Sequence, residues 1–298
     1  CRARCSQAAQ HLHRRRGALD TPQFSPLASP INPAGRSFRA SRPRPDRPPT
    51  GQNETVDRLI GKSTAMLEVA RRIERAARAD SPVLIWGERG SGKKAVAEAI
   101  HRQSRRADGP LVIVSTASRG RSVEDELFGT ANRLAAAADG TLLIDEITGL
   151  PTTGQAKLLQ PAEGRYLAEH NGTVREPIDF RLMATTRSEL AESVAWGALR
   201  EDLYYRLTVV TIRVPPLRER AEDIPRLVEQ VLCELCAARD QPPPAVDADL
   251  MRHLVERPWP GNIRELRECL DAMVSEEDAG ILKREHLPPP WAHPAGKA

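Results

Sequence analysis

Apolar residues between positions 55 and 220 alternate between short continuous runs and segments with helical spacing. Residues 111–115 (LVIVS) and 141–147 (TLLIDEI) are typical of buried strands in a parallel sheet. Residues 65–79 instead carry an apolar helix face, formed by Leu67, Ala70, Ile73 and Ala76. The same patterns predict further strands at 82–86, 179–185 and 209–214, and further helices at 95–100, 123–128 and 199–207. This alternation predicts an α/β fold, with a parallel sheet flanked by helices and a ligand site at the carboxyl ends of its strands.

From residue 221 the pattern becomes purely helical. Three amphipathic segments, 221–240, 247–258 and 261–276, are separated by proline-rich breaks. We therefore predict an α/β subdomain over residues 55–220, an all-helical subdomain over 221–288 and a frayed C-terminus over 289–298. Cys233 and Cys236 form a C-x-x-C pair with no second pair at zinc-finger spacing, so we interpret them as an i, i+3 pair on a helix.

Residues 1–54 differ in composition from the rest of the chain. The first 50 residues contain eight of the 25 prolines, ten arginines and two aspartates, so they carry a charge of +8 and the remaining 248 residues carry −4. This predicts a disordered basic tail rather than a nucleic-acid-binding face on the folded part, and any nucleic-acid contact would come from this tail. Five cysteines without framework spacing indicate a reducing, cytoplasmic compartment, and the sequence shows no signal peptide and no membrane-spanning run. Because the sequence begins with Cys1 rather than Met, we expect it to be a fragment.

Residues 87–93 (GERGSGK) fit the pattern G-x-x-x-x-G-K between a predicted strand and a predicted helix. Glycines let such a loop turn tightly and direct its N–H groups inward, and the helix N-terminus adds positive potential. An ordinary glycine-rich turn is the alternative, but the order of strand, loop and helix favours a phosphate-binding loop. The predicted nucleotide-binding residues here are Gly87, Glu88, Arg89, Gly90, Ser91, Gly92, Lys93 and Lys94.

Two carboxylates follow the apolar run that begins at residue 141. Asp145 would hold Mg²⁺ through water, and Glu146 would polarise the attacking water of a hydrolysis. Two solvent-facing acids would be the simpler interpretation of this pair alone. Their position downstream of a phosphate-binding loop favours the catalytic interpretation.

Three arginines are further candidates. Arg200 and Arg206 lie on one predicted helix and could neutralise charge on a transferred phosphoryl group, although the segment alone also fits an amphipathic helix with salt bridges. Arg264 lies in the first turn of a helix that Asn262 can cap. A cation is unfavourable at a helix N-terminus, so a bound anion would explain Arg264 better than fold stability would.

Together these segments closely resemble the AAA+ ATPase domain of bacterial enhancer-binding proteins, the sigma-54-dependent transcriptional regulators. The resemblance covers residues 59–288 and rests on the ordered motifs LIGKS, GERGSGKK, AIHRQSRR, ELFG, DGTLLIDEI, QAKLL, REDLYYRL, VPPLRERAEDIP and WPGNIREL. It implies an AAA+ P-loop NTPase fold with a helical lid, and Mg²⁺-dependent hydrolysis of ATP at the interfaces of a homo-oligomeric ring, usually a hexamer. It also implies contact with an RNA polymerase sigma factor.

The resemblance also assigns roles to individual residues. It implies that Lys93 binds phosphate, Asp145 holds Mg²⁺ and Glu146 activates water. It further implies that Arg200 and Arg206 are arginine fingers that reach the neighbouring subunit's nucleotide. Arg264 corresponds to the second sensor of the lid, and Ile60 and Gly61 correspond to the adenine side of the pocket.

The sequence departs from the family at several positions. Residues 130–138 (TANRLAAAA) replace the loop that grips sigma-54, which predicts that this contact is impaired. Ser115 replaces the asparagine that restrains the catalytic glutamate. Arg187 replaces the asparagine of the first sensor, where it could bind phosphate or obstruct the site. Lys94 adds positive charge near the metal, and Pro161 interrupts a helix that the family continues.

The sequence leaves three functions open. The retained Lys93, Asp145 and Glu146 favour an ATP-hydrolysing domain of a sigma-54-type regulator. Ser115 and Arg187 favour a non-catalytic, nucleotide-binding assembly module. The third function is a regulator that acts with a different sigma factor. We find no match to the family's sensing domain or helix-turn-helix DNA-binding domain, so this regulator would have only the basic tail for DNA.

Overall fold

The computed structural model describes residues 61–116, 122–129, 132–162, 167–170, 173–187, 189–276 and 280–292. The predicted basic tail, Ile60, residues 130 and 131 of the substituted loop and residues 293–298 lie outside this part of the chain. All described residues belong to one compact unit, Pro48–Ala298.

Strands and helices alternate in the first two thirds of the described chain. In order, the elements are α1 (Thr64–Arg78), β1 (Val83–Trp86), α2 (Lys93–Gln103), β2 (Leu111–Ser115), α3 (Val123–Phe128), α4 (Arg133–Ala136), β3 (Thr141–Asp145), a 3₁₀ turn (Ile147–Gly149), α5 (Thr152–Ala162), β4 (Leu167–His170), β5 (Thr173–Pro177), β6 (Arg181–Thr186), α6 (Leu190–Ala195), α7 (Glu201–Leu207) and β7 (Val210–Arg213). Five of the strands form a parallel sheet in the order β2-β3-β6-β1-β7, and β4 pairs with β5 as an antiparallel hairpin. The predicted α/β fold with a parallel sheet is confirmed.

The remainder of the described chain is mainly helical. It contains a 3₁₀ segment (Leu217–Asp223), α8 (Ile224–Ala237), β8 (Ala245–Val246), α9 (Ala248–Glu256), α10 (Asn262–Glu276), β9 (Ile281–Leu282), a 3₁₀ turn (Arg284–His286) and α11 (Pro289–Ala292). Cys233 and Cys236 lie on α8, which confirms their interpretation as a helical pair. Among the described residues, no helix combines the length and the apolar character needed to cross a bilayer.

The sheet is buried on both faces because successive side chains of its strands point to opposite sides. Along β3, Leu142 and Ile144 belong to one apolar core and Leu143 to the other, and all three are completely buried. Both cores therefore fix the register of β3 and, with it, the position of the residues that follow this strand.

A third apolar core joins the helices of residues 217–292. Trp259 is completely buried there, and its indole N–H donates to the carbonyl oxygen of Leu254 at 2.7 Å. This separate core agrees with a subdomain boundary near residue 220. The two parts nevertheless belong to one compact unit, so the boundary itself stays a prediction.

Helix α1 buries only part of the face expected from the sequence, since Ile73 and Ala76 are buried but Leu67 is not. Met66, Val69 and Ile73 are buried, whereas 47% of Leu67 is exposed. The expected and the buried stripes share Ile73 and Ala76 and differ mainly at the start of the helix, at Met66 and Leu67. The sequence does not decide between them, because the choice depends on how the helix packs against the sheet.

The predicted strand over residues 141–147 is too long, since β3 ends at Asp145 and Glu146 adopts a left-handed conformation. The short elements α4, α6, β4, β5, β8 and β9 were not expected from the sequence. The prediction of a frayed end is wrong for Pro289–Ala292, which forms a helical turn whose Trp291 packs on the third core. Helix α5 includes Pro161, and because residues 163–166 lie outside the described part of the chain, its interruption by this proline stays a prediction.

Candidate nucleotide-binding site

The loop between β1 and α2 turns tightly through its glycines. Gly90 and Gly92 have φ values of 77° and 104°, which glycine adopts without the steric cost of a Cβ. A Cβ at Gly90 would lie 2.3 Å from the carbonyl oxygen of Gly261, so the loop packs directly against the start of α10. The strand, the glycine-rich loop and the helix therefore follow one another as the sequence predicts.

Lys93 is the first residue of α2, and its side chain folds back over the loop. Its Nζ donates to the carbonyl oxygens of Gly87 at 2.8 Å and Glu88 at 3.1 Å. Burial lowers the pKa of the Lys93 ammonium group, while the charges of Glu146 and Asp145 oppose this shift. The ammonium group therefore lies within electrostatic reach of both carboxylates that follow β3.

Ser91 lies deeper in the loop. Its hydroxyl is buried and has no hydrogen-bond partner among the described residues. Its carbonyl oxygen accepts a hydrogen bond of 2.6 Å from Arg220, whose burial lowers the pKa of the guanidinium to about 10. A buried hydroxyl without a partner is unusual in a folded protein, and a ligand in the loop would supply one.

The backbone at the end of β3 is fixed by two threonines. The hydroxyl of Thr185, on the neighbouring strand β6, donates to Asp145 Oδ1 at 2.6 Å and accepts from the N–H of Glu146 at 3.0 Å. The hydroxyl of Thr116 donates to the carbonyl oxygen of Glu146 at 2.7 Å. These bonds hold Glu146 at φ 67° and ψ 69°, a left-handed conformation that costs a non-glycine residue roughly 1–3 kcal/mol.

The carboxylate of Glu146 is engaged by Arg187. The guanidinium Nε of Arg187 lies 2.9 Å from Glu146 Oε2, and Oε1 accepts hydrogen bonds from the Arg187 N–H at 3.3 Å and from Thr148 Oγ1 at 3.0 Å. The sequence left open whether Arg187 binds phosphate or obstructs the site, and here it contacts the Glu146 carboxylate. Ser115 pairs in register with Asp145, and no hydrogen bond joins it to the Glu146 side chain in the described structure.

A polar network joins the loop to the helical part. Arg218 donates two hydrogen bonds to the Glu88 carboxylate, at 2.9 and 2.6 Å, and this lowers the pKa of that carboxyl group. Asn262, at the start of α10, donates to Glu88 Oε2 and to the carbonyl oxygen of Arg89, both at 3.1 Å. Its own side-chain oxygen accepts from the N–H of Leu217 at 2.7 Å.

Arg264 follows two residues later on α10 and is exposed. Its Cβ lies 3.1 Å from the position that a Cβ on Gly90 would occupy, and its charge contributes to the lowered pKa of Lys93. The preceding N–H, of Ile263, donates to the carbonyl oxygen of Gly90 at 3.1 Å. The N-terminus of α10 therefore lies beside the loop and brings Arg264 near Lys93.

Gly61 lies just before α1, next to the linker into the helical part. Asp223 Oδ1 accepts from the N–H groups of Lys62 at 2.7 Å and Ser63 at 2.9 Å, and Oδ2 accepts from the Ser63 hydroxyl at 2.6 Å. A Cβ on Gly61 would clash with Met66 at 2.6 Å. This segment is therefore anchored to the start of α8.

Arg200 and Arg206 lie at the two ends of the segment that contains α7. The helix packs through the buried Leu203 and Leu207, and both arginines are exposed. Arg200 forms hydrogen bonds to the Asp202 carboxylate at 3.1 and 2.8 Å, which raises the pKa of the guanidinium. The described structure thus brings together Lys93, Asp145, Glu146 and Arg264.

The two parts of the chain match known domain families. Residues 59–213 match the sigma-54 interaction domain, and residues 218–297 match the AAA+ ATPase lid domain. The chain belongs to the sigma-54 interaction family.

Curated relatives of this sigma-54 interaction domain are longer proteins. The DNA-binding transcriptional regulator NtrC of Azospirillum brasilense is 37% identical over 288 residues, covering 89% of this chain and 59% of that protein. The nitrogen fixation protein VnfA of Azotobacter vinelandii is 40% identical over 245 residues, covering 78% of this chain and 47% of that protein. The chain thus spans about half the length of these relatives.

Solved structures support the same assignment. Crystal structures of NtrX from Brucella abortus in complex with ADP and with ATP both match with a TM-score of 0.70. They are 36% and 34% identical, and the match covers 78% of this chain and 55% and 57% of theirs. The fold is that of an AAA+ P-loop NTPase with a helical lid.

The donor set of this site fits a nucleotide with Mg²⁺. The unpaired buried hydroxyl of Ser91 and the ammonium group of Lys93 suit phosphate oxygens. Asp145 Oδ1 is taken by Thr185, while Oδ2 has no partner among the described residues. Mg²⁺ is commonly bound through one or two carboxylates together with substrate phosphates, so a single available carboxylate is sufficient here.

Several residues of the site were not predicted from the sequence. Thr185 lies within a buried apolar strand, where threonine is ordinarily a β-former. Arg218 lies in a family motif and Asn262 was predicted to cap a helix, but their contacts with Glu88 were not predicted. These contacts join positions 130 and 174 residues apart, which local patterns do not reveal. Arg187 could be found from the sequence, because it directly follows β6 and therefore lies at the carboxyl edge of the sheet.

The described portion of the substituted loop, from residue 132, is short. It contains one helical turn, α4, in which Asn132 accepts a hydrogen bond from the N–H of Ala135 at 3.2 Å. The loss of the sigma-54-gripping loop stays a prediction. Lys94 lies exposed in the first turn of α2.

Proposed function

We propose that this domain binds ATP in the loop of residues 87–94 and hydrolyses it with Mg²⁺, as the ATPase part of a bacterial, cytoplasmic sigma-54-type transcriptional regulator. The observation that carries the proposal is the convergence of Lys93 with Asp145 and Glu146 at the carboxyl edge of the parallel sheet, where they follow β1 and β3 on either side of β6. Two NtrX structures with this fold, in complex with ADP and with ATP, support the choice of an adenine nucleotide.

Each part of the nucleotide has candidate partners. The phosphates would lie against the N-terminus of α2, where Lys93 exchanges its contacts with loop carbonyl oxygens for phosphate oxygens. Arg264 lies beside the same loop and would bind the phosphates from the lid side. Ile60 and Gly61 would line the adenine, next to the linker anchored by Asp223.

The hydrolytic groups follow β3. Asp145 would hold Mg²⁺, which when bound neutralises charge on the phosphate oxygens. Glu146 would accept a hydrogen bond from the attacking water and take its proton, as a general base within hydrogen-bond reach does. Thr185 and Thr116 hold the backbone of this pair in place.

The arginines of α7 would complete the site of a neighbouring copy. Arg200 and Arg206 are exposed, which suits a contribution in trans. We therefore propose a homo-oligomeric ring, such as a hexamer. Contact with a sigma factor is part of the proposal, and the substitution at residues 130–138 makes sigma-54 contact weaker than in the family.

The test is steady-state ATP hydrolysis by the full chain over a range of protein concentrations, beside Lys93→Ala, Glu146→Gln and Arg206→Ala. We expect specific activity to rise with concentration and each variant to lose at least about a hundredfold, the scale of a lost catalytic electrostatic contact. Arg267→Ala, which removes an exposed lid salt bridge to Glu234, is the matched control and should retain activity. Wild-type turnover equal to that of Glu146→Gln would overturn hydrolysis.

A non-catalytic, nucleotide-binding assembly module is the second candidate. The ion pair between Arg187 and Glu146 favours it, because a base held by a cation cannot orient water. This candidate predicts that ATP binds and promotes assembly with no turnover above Glu146→Gln. Measuring ATP binding by calorimetry in the same samples separates this outcome from a chain that binds no nucleotide.

A further inference from the structure

The Glu146 carboxylate is held from several directions. Its Oε2 faces the Arg187 guanidinium at 2.9 Å, and its Oε1 accepts from Thr148 Oγ1 and from the Arg187 N–H. Only 19% of the Glu146 side chain is exposed, against 55% of Arg187. The carboxylate is therefore confined, while the guanidinium that confines it borders solvent and is able to move.

Arg187 is also placed close to the phosphate site. It directly follows β6, which lies between β3 and β1 in the sheet. Strand β3, on one side of β6, ends at Asp145 and is followed by Glu146. Strand β1, on the other side, is followed by the phosphate-binding loop. The charge of Arg187 contributes to the lowered pKa of Lys93, so the guanidinium and the ammonium group already influence each other.

We propose that Arg187 is a positioning residue for Glu146, which holds the carboxylate in the nucleotide-free site and moves to the terminal phosphate of a bound nucleoside triphosphate. The inference rests on the proposed function. A guanidinium binds phosphate through paired, charge-assisted hydrogen bonds, and a triphosphate carries more negative charge than one carboxylate. The exchange frees Glu146 to orient water only when a terminal phosphate is present, so it couples release of the base to occupancy by the triphosphate.

The proposal distinguishes ATP from ADP, because only ATP carries the phosphate to which Arg187 moves. The experiment measures, by calorimetry on the full chain, the dissociation constants of ADP and of the β,γ-imido analogue of ATP, which is not hydrolysed. Arg187→Ala should weaken binding of the analogue about tenfold, the scale of one charge-assisted hydrogen bond, and leave ADP binding unchanged. Arg187→Lys should restore part of the loss, since it keeps the charge without the planar fork.

Glu146→Gln supplies a second, independent readout. It removes the carboxylate that competes for Arg187, so it should tighten binding of the analogue and not of ADP. The gain should vanish in the double variant Arg187→Ala/Glu146→Gln. Arg267→Ala, which breaks an exposed ion pair of similar exposure on the lid, should change neither constant.

The outcomes separate this inference from the proposed function. Equal effects of Arg187→Ala on both ligands, or a Glu146→Gln gain that persists without Arg187, would overturn the positioning role while ATP binding stands. A wild-type chain that binds neither ligand would overturn both. Differential binding without any turnover would support the positioning role and reject hydrolysis.

Discussion

At the scale of single residues, Thr185 shows how one side chain supports two functions of the site. Its hydroxyl orients Asp145 and also satisfies the N–H of Glu146, which has left the strand geometry. Thr186, the next residue, is equally buried, but its hydroxyl has no partner among the described residues. The two threonines therefore form a natural matched pair.

We predict that Thr185→Val lowers the free energy of unfolding by about 1–3 kcal/mol, because a buried N–H and a carboxylate oxygen lose their partner. Thr186→Val should be neutral or stabilising, since it removes a buried hydroxyl that makes no hydrogen bond in the nucleotide-free chain. Urea unfolding of both variants checks this. Equal losses in the two variants would contradict the proposed role of the Thr185 hydroxyl.

The sequence identified most residues of the candidate site but not their contacts. The spacing of Gly87 and Lys93 locates the loop, and the acids after an apolar run locate Asp145 and Glu146. For Arg187, the sequence indicates a substitution that either binds phosphate or obstructs the site. Its contact with Glu146 depends on which strands are neighbours, and the order β3-β6-β1 arises from long-range pairing that local patterns do not encode.

At the scale of elements, strand β2 and helix α3 match their predicted bounds, because continuous apolar runs and segments with helical periodicity are local signals. The hairpin β4–β5 and the short pair β8–β9 were missed, since each is too short to produce a period. The predicted face of α1 is buried only in part, at Ile73 and Ala76 but not at Leu67. Local residues determine that a helix forms, whereas packing decides which of its stripes is buried.

The N-terminus of α10 is the element that links the lid to the phosphate-binding loop. Asn262 is completely buried at a φ of 58°, and its amide connects Leu217, Glu88 and Arg89. A left-handed φ suits asparagine or glycine better than other residues. Both the side chain and the backbone of this residue therefore carry part of the linkage.

We predict that Asn262→Gly lowers the free energy of unfolding by roughly 1–3 kcal/mol, because it removes the amide contacts but tolerates the backbone conformation. Asn262→Ala should cost about 1–2 kcal/mol more, since alanine also opposes the left-handed conformation. Thermal unfolding followed by calorimetry measures both. An alanine variant as stable as the glycine variant would show that the backbone conformation is not retained.

At the scale of the whole molecule, the parallel sheet supplies the phosphate-binding loop and both acids, and the lid closes against the same loop. Arg200 and Arg206 are both exposed. Under the proposed function, a single copy contains the binding groups and the base, and the two arginines complete the site of its neighbour. Hydrolysis is then a property of the assembly.

The most direct test mixes two inactive variants of the full chain and measures ATP hydrolysis against mixing ratio. Glu146→Gln lacks the base but keeps its arginines, and Arg206→Ala keeps the base but lacks an arginine. If Arg206 acts in the neighbouring site, a mixed assembly contains sites with both groups, and activity should exceed the sum of the two variants measured alone and peak at intermediate ratios. Activity that never exceeds that sum, with both variants shown to bind ATP and to assemble, would contradict a site shared between copies of the chain.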